Sequence, residues 1–199
     1  MNSRLTIIVI GILIAVSILW LRLAVRGSLP NPAPTSVSDP CPDELLTKFL
    51  TGDERAIAEA LDKTANTLEQ AFRNPGAVCF ISVTGADLIS LPGDIRQLSN
   101  VRYLNLAGDK LASLPPEMGE LKRLTVLSLN DNGITRLPMS LYELTRLETL
   151  ALVRNKLTDV PDDIARLTNL RQLYLTGNPL TPGQVERIRR LLPRAVVDF

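Results

Sequence analysis

Residues 88–110 read LISLPGDIRQLSNVRYLNLAGDK, and the same 23-residue pattern follows three more times. The later copies are LASLPPEMGELKRLTVLSLNDNG (111–133), ITRLPMSLYELTRLETLALVRNK (134–156) and LTDVPDDIARLTNLRQLYLTGNP (157–179). A fixed period of 20–50 residues is the signature of a stacked-repeat protein, in which each unit buries its apolar side only against its neighbours. The copies, here called coils, therefore predict a solenoid.

Each coil has two halves with different apolar spacing. The half L-x-x-L-x-L-x-x-N-x-L alternates in its centre, so Leu104 and Leu106 are expected to point into the core while Tyr103 and Asn105 point outward from a short strand. The half L-P-x-x-I-x-x-L has the spacing of a short helical or 3₁₀ return. A proline begins this return in all four coils, at Pro92, Pro115, Pro138 and Pro161.

One polar position recurs every 23 residues. It is occupied by Asp109, Asn132, Asn155 and Asn178, with Ala86 one period earlier. An asparagine amide both donates and accepts, so it can serve the backbone groups that a tight turn leaves without partners. The column predicts a ladder of asparagines along the stack, weakest at its N-terminal end, where Asp109 and Ala86 stand.

This frame resembles the leucine-rich repeat family, in particular its 23-residue L-P-x-x-I-x-x-L class, found in bacterial repeat proteins and in Ras-linked scaffolds of plants and animals. The match covers residues 78–180 and, with its flanks, 41–199. The resemblance implies an α/β solenoid that forms a right-handed arc, with a parallel concave sheet that binds proteins or peptides.

The outward strand positions give the candidate binding residues. We expect this set to comprise Tyr103, Asn105, Ser128, Asn130, Thr149, Gln172 and Tyr174, with Arg154 at the rim beside Asp131. Tyr103 and Tyr174 are the expected anchors, because an aromatic side chain supplies contact area and a polar group together. Phe80 is outward in the same register but can pack under the N-terminal flank. The alternative is a short mixed surface that binds nothing tightly.

The N-terminal part divides at changes of composition. Residues 1–26 contain an uncharged apolar run at 5–21, which favours a single transmembrane anchor over a cleaved signal peptide because no A-x-A-like cleavage site follows. Charges on both sides of this run leave its orientation undecided. Residues 27–40 hold four prolines and are expected to be an extended linker.

Both flanks of the repeats predict caps, because the terminal coils of a solenoid would otherwise expose their core. Residues 41–76 show helical spacing, with Thr64 on the apolar face, and precede the repeats at 77–181. Residues 182–199 predict an amphipathic helix and a last edge strand. Four arginines on that segment are interpreted as a solvated helix face rather than an anion site.

The composition excludes several functional classes. The chain contains no histidine and no Gly-rich phosphate-binding loop, so we expect no enzyme, no metal and no cofactor. A net charge of +1 argues against nucleic acid as a partner.

The two cysteines suggest one covalent link. Cys41 opens the N-terminal cap and Cys79 begins the first strand, in the column of Arg102, where side chains are expected outside the core. A Cys41–Cys79 disulfide would clamp the cap to the stack, and the alternative is two free thiols. A disulfide would place the domain in an oxidising compartment.

Together these features predict a bacterial-type, single-pass membrane protein whose repeat domain faces outward and binds a protein or peptide. One alternative is a cytoplasm-facing signalling scaffold of the Ras-linked type. The other is a structural spacer of the cell envelope.

Overall fold

The computed structural model describes residues 64–199 together with Asp39, Cys41, Pro42 and Glu44. The predicted anchor at 1–26, most of the linker and the helical pattern before residue 64 lie outside the described residues. Within the described part, no helix combines the length and hydrophobicity needed to cross a bilayer.

Seven parallel strands form one sheet, in the order in which they occur along the described chain. They are β1 (Thr64–Ala65), β2 (Phe80–Ser82), β3 (Tyr103–Asn105), β4 (Val126–Ser128), β5 (Thr149–Ala151), β6 (Gln172–Tyr174) and β7 (Val196–Asp198). From β2 to β6 each residue pairs with the one 23 positions later, as Ile81 does with Leu104. The predicted α/β solenoid with a parallel sheet is confirmed.

The return half of each coil is a five-residue 3₁₀ helix. The four are η1 (Gly93–Gln97), η2 (Pro116–Glu120), η3 (Met139–Glu143) and η4 (Asp162–Arg166). The recurring proline precedes each one with φ between −67° and −71°. Five residues form too few i→i−4 hydrogen bonds to offset the conformational entropy lost in nucleating an α-helix. Such a short return therefore adopts the tighter i→i−3 pattern.

The core lies between the sheet and the 3₁₀ row. The central residues of β3 to β6 are fully buried, as are Ile95, Met118, Leu141 and Ile164 of the four 3₁₀ helices. These central residues are Leu104, Leu127, Leu150 and Leu173. Each buried leucine contributes about 1.5–3 kcal/mol relative to an exposed one, which makes the leucine columns the main source of stability.

The N-terminal flank differs from its prediction at one point. Thr64 was expected on a helix face, but Thr64–Ala65 is a strand that pairs with Phe80 and Ile81 of β2. The helix here, α1 (Leu68–Arg73), begins only after Thr67, whose hydroxyl accepts from the backbone N–H of Gln70 at 3.0 Å. β1 lies beside β2 at the N-terminal edge of the sheet and bonds to the backbone of β2, which a helix cannot do.

The C-terminal flank contains the predicted helix and strand. Helix α2 (Pro182–Leu191) begins at a capping box formed by Thr181 and Gln184, and it contacts η4. Ile188 is its fully buried residue. β7 follows and pairs with β6 in parallel. This flank therefore continues the stack by one strand.

The predicted disulfide between Cys41 and Cys79 is present, with Cα atoms 5.4 Å apart. Cys79 is no member of the leucine core, which agrees with its expected position outside that core. Both cysteines are nevertheless fully buried. Cys79 is covered by the N-terminal segment to which it is bonded.

That segment, here called the strap (Asp39 and Cys41), is also held by charge. The Asp39 carboxylate accepts from Arg123 on both oxygens at 2.6 Å and from Arg102 at 3.0 Å. Arg102 is only 1% exposed, and its Nε donates to the carbonyl of Cys41. The strap therefore supplies the acceptors that a buried guanidinium requires.

Asp39 titrates below its usual range. Burial alone raises the pKa of this carboxyl, but the hydrogen bonds from Arg123 and the backbone of Cys41, with the charges of both arginines, outweigh burial and lower the pKa. Asp39 is therefore ionised at neutral pH in the folded protein.

Candidate binding face

The outer face of the sheet consists of the two outward positions on each strand from β2 to β6. Strand pairing sets these positions in two rows that cross the strands. The first row is Phe80, Tyr103, Val126, Thr149 and Gln172, and the second is Ser82, Asn105, Ser128, Ala151 and Tyr174. The sequence-predicted strand residues lie on these rows, so the structure brings them together on one surface.

Exposure varies strongly along the outer face. Tyr103, Asn105, Ser128 and Tyr174 are partly exposed, and so is Asn130, which lies just beyond β4. Arg154 is exposed at the rim. Phe80 is 3% exposed, which agrees with its interpretation as a residue packed under the N-terminal flank.

Two of the expected contact residues are not accessible. Thr149 and Gln172 retain only 9% and 5% of their exposure. They are opposite each other on β5 and β6, and the hydroxyl of Thr149 donates to the side-chain oxygen of Gln172 at 3.2 Å. Their burial and this hydrogen bond correct their assignment as ligand contacts.

The amides on the face are largely occupied by the protein itself. The side-chain oxygen of Asn105 accepts from the backbone N–H of Ala107 at 3.2 Å, and its amide lies in hydrogen-bond contact with the Tyr103 hydroxyl. Burial raises the pKa of Tyr103, and this hydrogen bond only partly offsets the effect. The oxygen of Asn130 accepts from the N–H of Val153 at 2.8 Å. These side-chain amides bond within the protein, so little of their hydrogen-bonding capacity is left for a ligand.

The second tyrosine, Tyr174, stands at the other end of the face. Burial and then the nearby charge of Asp198 raise the pKa of its phenol. Both tyrosines are therefore neutral hydrogen-bonding groups at physiological pH.

One rim of the face carries an ion pair between consecutive coils. Arg154 donates through Nη2 to Oδ2 of Asp131 at 2.7 Å and through Nε to Oδ1. Both residues have positive φ, 52° for Arg154 and 56° for Asp131. They occupy one column in which the other members are Gly85, Gly108 and Gly177, all with positive φ. Glycine is the usual residue for this conformation.

The asparagine column lies inside the turn that follows each strand. Asn132 accepts from the N–H of Leu111 at 3.0 Å and donates to the carbonyls of Leu106 at 2.8 Å and Leu129 at 3.2 Å. Asn155 and Asn178 make the equivalent set. Each amide thereby links one coil to the previous one.

Asp109 departs from this arrangement. Its Oδ1 accepts from the N–H of Ala86 at 2.8 Å and of Leu88 at 3.1 Å. Its Oδ2 occupies the place of the donating amide group, is buried, and has no hydrogen-bond partner in the structure. At this coil the ladder therefore has a side chain that accepts hydrogen bonds but donates none.

The described residues contain no cluster of three or more side chains with the ligand types of a metal site. Their polar groups serve backbone turns, ion pairs between coils and the strap.

Comparison with known proteins identifies relatives of the repeat domain. The family described as a leucine-rich repeat region matches residues 87–191. A leucine-rich repeat protein of Leptospira interrogans is 38% identical, with a TM-score of 0.55 over 61% of this chain and 30% of its own. The leucine-rich repeat ectodomain of a plant membrane receptor kinase from Arabidopsis thaliana, in complex with Casparian strip integrity factor 2, is 28% identical. Its TM-score is 0.52, over 61% of this chain and 15% of its own.

An internalin from Listeria monocytogenes is 22% identical, with a TM-score of 0.51 over 60% of this chain and 33% of its own, and shows the fold alone. This chain spans about a third or less of the length of these structures. No curated protein sequence matches it.

Proposed function

We propose that this chain, which belongs to the leucine-rich repeat family, is a non-catalytic module that binds a protein or peptide on the outer face of its sheet. Domains of this family generally bind protein ligands, and the Arabidopsis ectodomain is in complex with Casparian strip integrity factor 2. The observation that carries the proposal is the pair of partly exposed tyrosines, Tyr103 and Tyr174, on a continuous face. Partly exposed aromatic residues are enriched at the centres of protein interfaces.

The setting that we propose is an extracytoplasmic, membrane-tethered domain. The apolar run at 5–21 has about the length of a bilayer-spanning helix, and the proline-rich stretch that follows would act as a spacer. The Cys41–Cys79 disulfide supports an oxidising compartment and counts against the cytoplasmic scaffold.

We also propose that residues 41–76 and 182–199 cap the two ends of the core. At the N-terminal end, β1 pairs with β2 and the disulfide fixes the strap. At the C-terminal end, Ile188 of α2 is fully buried and β7 covers β6. Both flanks protect apolar surface that a terminal coil would otherwise expose.

The binding role is tested by the double variant Tyr103→Ala/Tyr174→Ala. The matched control is Ile89→Ala/Met139→Ala, which truncates two large apolar side chains that are 73% and 54% exposed outside the outer face. Proximity cross-linking in the native membrane should show a protein neighbour that the tyrosine variant loses and the control keeps. Equal labelling of the same neighbour by both variants would reject the outer face as the binding surface. It would favour the spacer role.

The location is tested on intact cells. A protease added outside should remove the epitope-tagged repeat domain, and the extracted protein should resist alkylation until it is denatured and reduced. Protection from the external protease, together with alkylation of the cysteines after denaturation without reduction, would show that the domain lies in the cytoplasm. That result would reject the extracytoplasmic location.

A further inference from the structure

The outer face carries no charged side chain on any strand from β2 to β6. Its ten outward positions hold tyrosine, phenylalanine, small apolar residues, hydroxyls and amides. Since 22% of the chain is charged, composition alone would place about two charges among ten positions. This surface is uncharged in a chain that is otherwise well supplied with charge.

The centre of the face is also low. Between the two tyrosines lie Val126, Ser128, Thr149 and Ala151, here called the floor, and all four side chains are small. Tyr103 precedes the floor on β3 and Tyr174 follows it on β6, three strands later. At about 4.8 Å per strand the tyrosines are roughly 14 Å apart along the stack, which is the reach of about four extended residues.

The charged residues directly beside the floor are paired with each other, while Asp198 of β7 lies beyond it, opposite Tyr174. On one side Asp131 is bonded to Arg154, and on the other Arg171 lies 3.8 Å from Glu148. Both pairs join β4–β5 or β5–β6 neighbours, so each rim is electrically compensated beside the floor. A charged group that entered the floor would lose hydration without gaining a free partner there.

The free hydrogen-bonding capacity is small as well. The oxygens of Asn105, Asn130 and Gln172 already accept bonds from the protein. A glycan, which needs many polar partners, would find few on this surface. The accessible residues that remain between the two tyrosines are Val126 and Ser128, because Thr149 and Ala151 are each only 9% exposed.

We propose that the floor selects an uncharged, extended peptide segment of about four residues with small apolar side chains, bounded by Tyr103 and Tyr174. This inference rests on the proposed function and adds the chemistry of the ligand to it. Burial of apolar surface supplies the affinity, so binding depends little on ionic strength.

The test is selection of a phage-displayed random heptapeptide library on the full-length protein in neutral detergent. The enriched peptides should contain few Asp, Glu, Lys or Arg residues. Their affinity should change by less than about twofold between 50 and 500 mM NaCl. Salt screens interactions between charges and leaves the affinity from apolar contacts nearly unchanged.

Three variants separate charge from bulk. Ser128→Lys places a charge in the floor and should weaken the enriched peptides at least about tenfold, because the ammonium must be desolvated. Ser128→Met adds similar length without charge and should weaken them less. Ser113→Lys makes the same substitution at an exposed position outside the face and should leave affinity unchanged.

The outcomes also separate this inference from the function on which it rests. Enriched peptides that are rich in charge, or that dissociate with salt, yet still require Tyr103 and Tyr174, would overturn the neutral floor and leave the binding function intact. Peptides that bind the double tyrosine variant and Ser128→Lys as well as wild type would overturn both. A selection that enriches no sequence overturns the neutral floor.

Discussion

Replacing Asp109 by asparagine should stabilise the protein. At this position Oδ2 is buried without a partner, whereas the equivalent group of Asn132 donates to two backbone carbonyls, 26 and 3 residues earlier in the chain. The same offsets from residue 109 lead to the carbonyls of Val83 and Leu106. Asp109→Asn keeps the acceptor that Ala86 and Leu88 use and supplies the missing donor.

The magnitude follows from the groups involved. Leaving a buried polar atom unsatisfied costs about 1–3 kcal/mol, and each hydrogen bond gained contributes about 0.5–1.5 kcal/mol. Because the new amide shares Leu106 with Asn132, we expect a gain of about 2 kcal/mol rather than the full sum. With a urea slope of about 2 kcal/mol per molar, the unfolding midpoint should rise by about 1 M.

The assay is urea unfolding of the full-length protein followed by circular dichroism, with Asn132→Asp as the converse variant. That variant removes the donor from an intact rung and should lower the midpoint by a similar amount. An unchanged or lower midpoint for Asp109→Asn, at an unchanged slope, would refute the role assigned to the amide donor. A harmless Asn132→Asp would do so independently.

Three further predictions concern packing, pH and redox state. Gly119→Ala should destabilise the fold by about 1–3 kcal/mol, since its Cβ would lie 2.6 Å from the carbonyl oxygen of Ser140. The control Gly183→Ala meets nothing within 4 Å and should not destabilise the fold, and urea unfolding midpoints compare the two variants. Because the folded pKa of Asp39 is lowered, its contribution is complete above the unfolded value of about 3.9 and is lost as pH falls through the folded value. Asp39→Asn should therefore flatten the loss of stability below about pH 5, measured as urea midpoints at successively lower pH. Reduction of the disulfide, which closes a 38-residue separation, should lower stability by up to about 4 kcal/mol, measured as the midpoint with and without reductant.

The repeat domain was predictable because its geometry is periodic. A residue that recurs every 23 positions occupies the same place in every coil, so the inward Leu104 and the outward Tyr103 could be assigned from spacing alone. The recurring proline likewise located the start of each 3₁₀ helix. Local pattern and tertiary structure coincide here, since each coil packs only against its neighbours.

The prediction failed where chain outside the repeats covers the stack. Cys79 and Arg102 share a column that spacing places outside the core, and the spacing gave no sign that both are buried. Their cover includes the strap, whose Asp39 lies 63 positions before Arg102 and belongs to no repeat. Such a contact leaves no periodic signal. The sequence alone therefore could not show that Arg102 and Asp39 form an ion pair in which the arginine is buried.

Side-chain packing within the outer face was also beyond the pattern. Spacing assigns Thr149 and Gln172 to the outward rows, but it cannot show that the two side chains are hydrogen-bonded and close each other off. Whether an outward residue is accessible depends on the length and rotamer of the one beside it. The candidate site therefore contracts toward Tyr103, Ser128 and Tyr174.

One periodic signal was present and was overlooked. Glycine occupies three of the five positions in the column just before the asparagines, and all five residues there have positive φ. An L-residue with a side chain pays about 1–2 kcal/mol for that conformation, so Asp131 and Arg154 are the costly exceptions. Gly177 accommodates the exception, because a Cβ there would lie 3.0 Å from the side chain of Arg154. An exposed ion pair contributes only about 0–1 kcal/mol, so it does not repay the strain of two residues. The two exceptions lie beside the floor, and their ion pair joins consecutive coils there. If the proposed binding face is correct, neutralising this rim is the role that stability does not explain, and Asp131→Gly/Arg154→Gly should then stabilise the fold while changing the salt dependence of peptide binding.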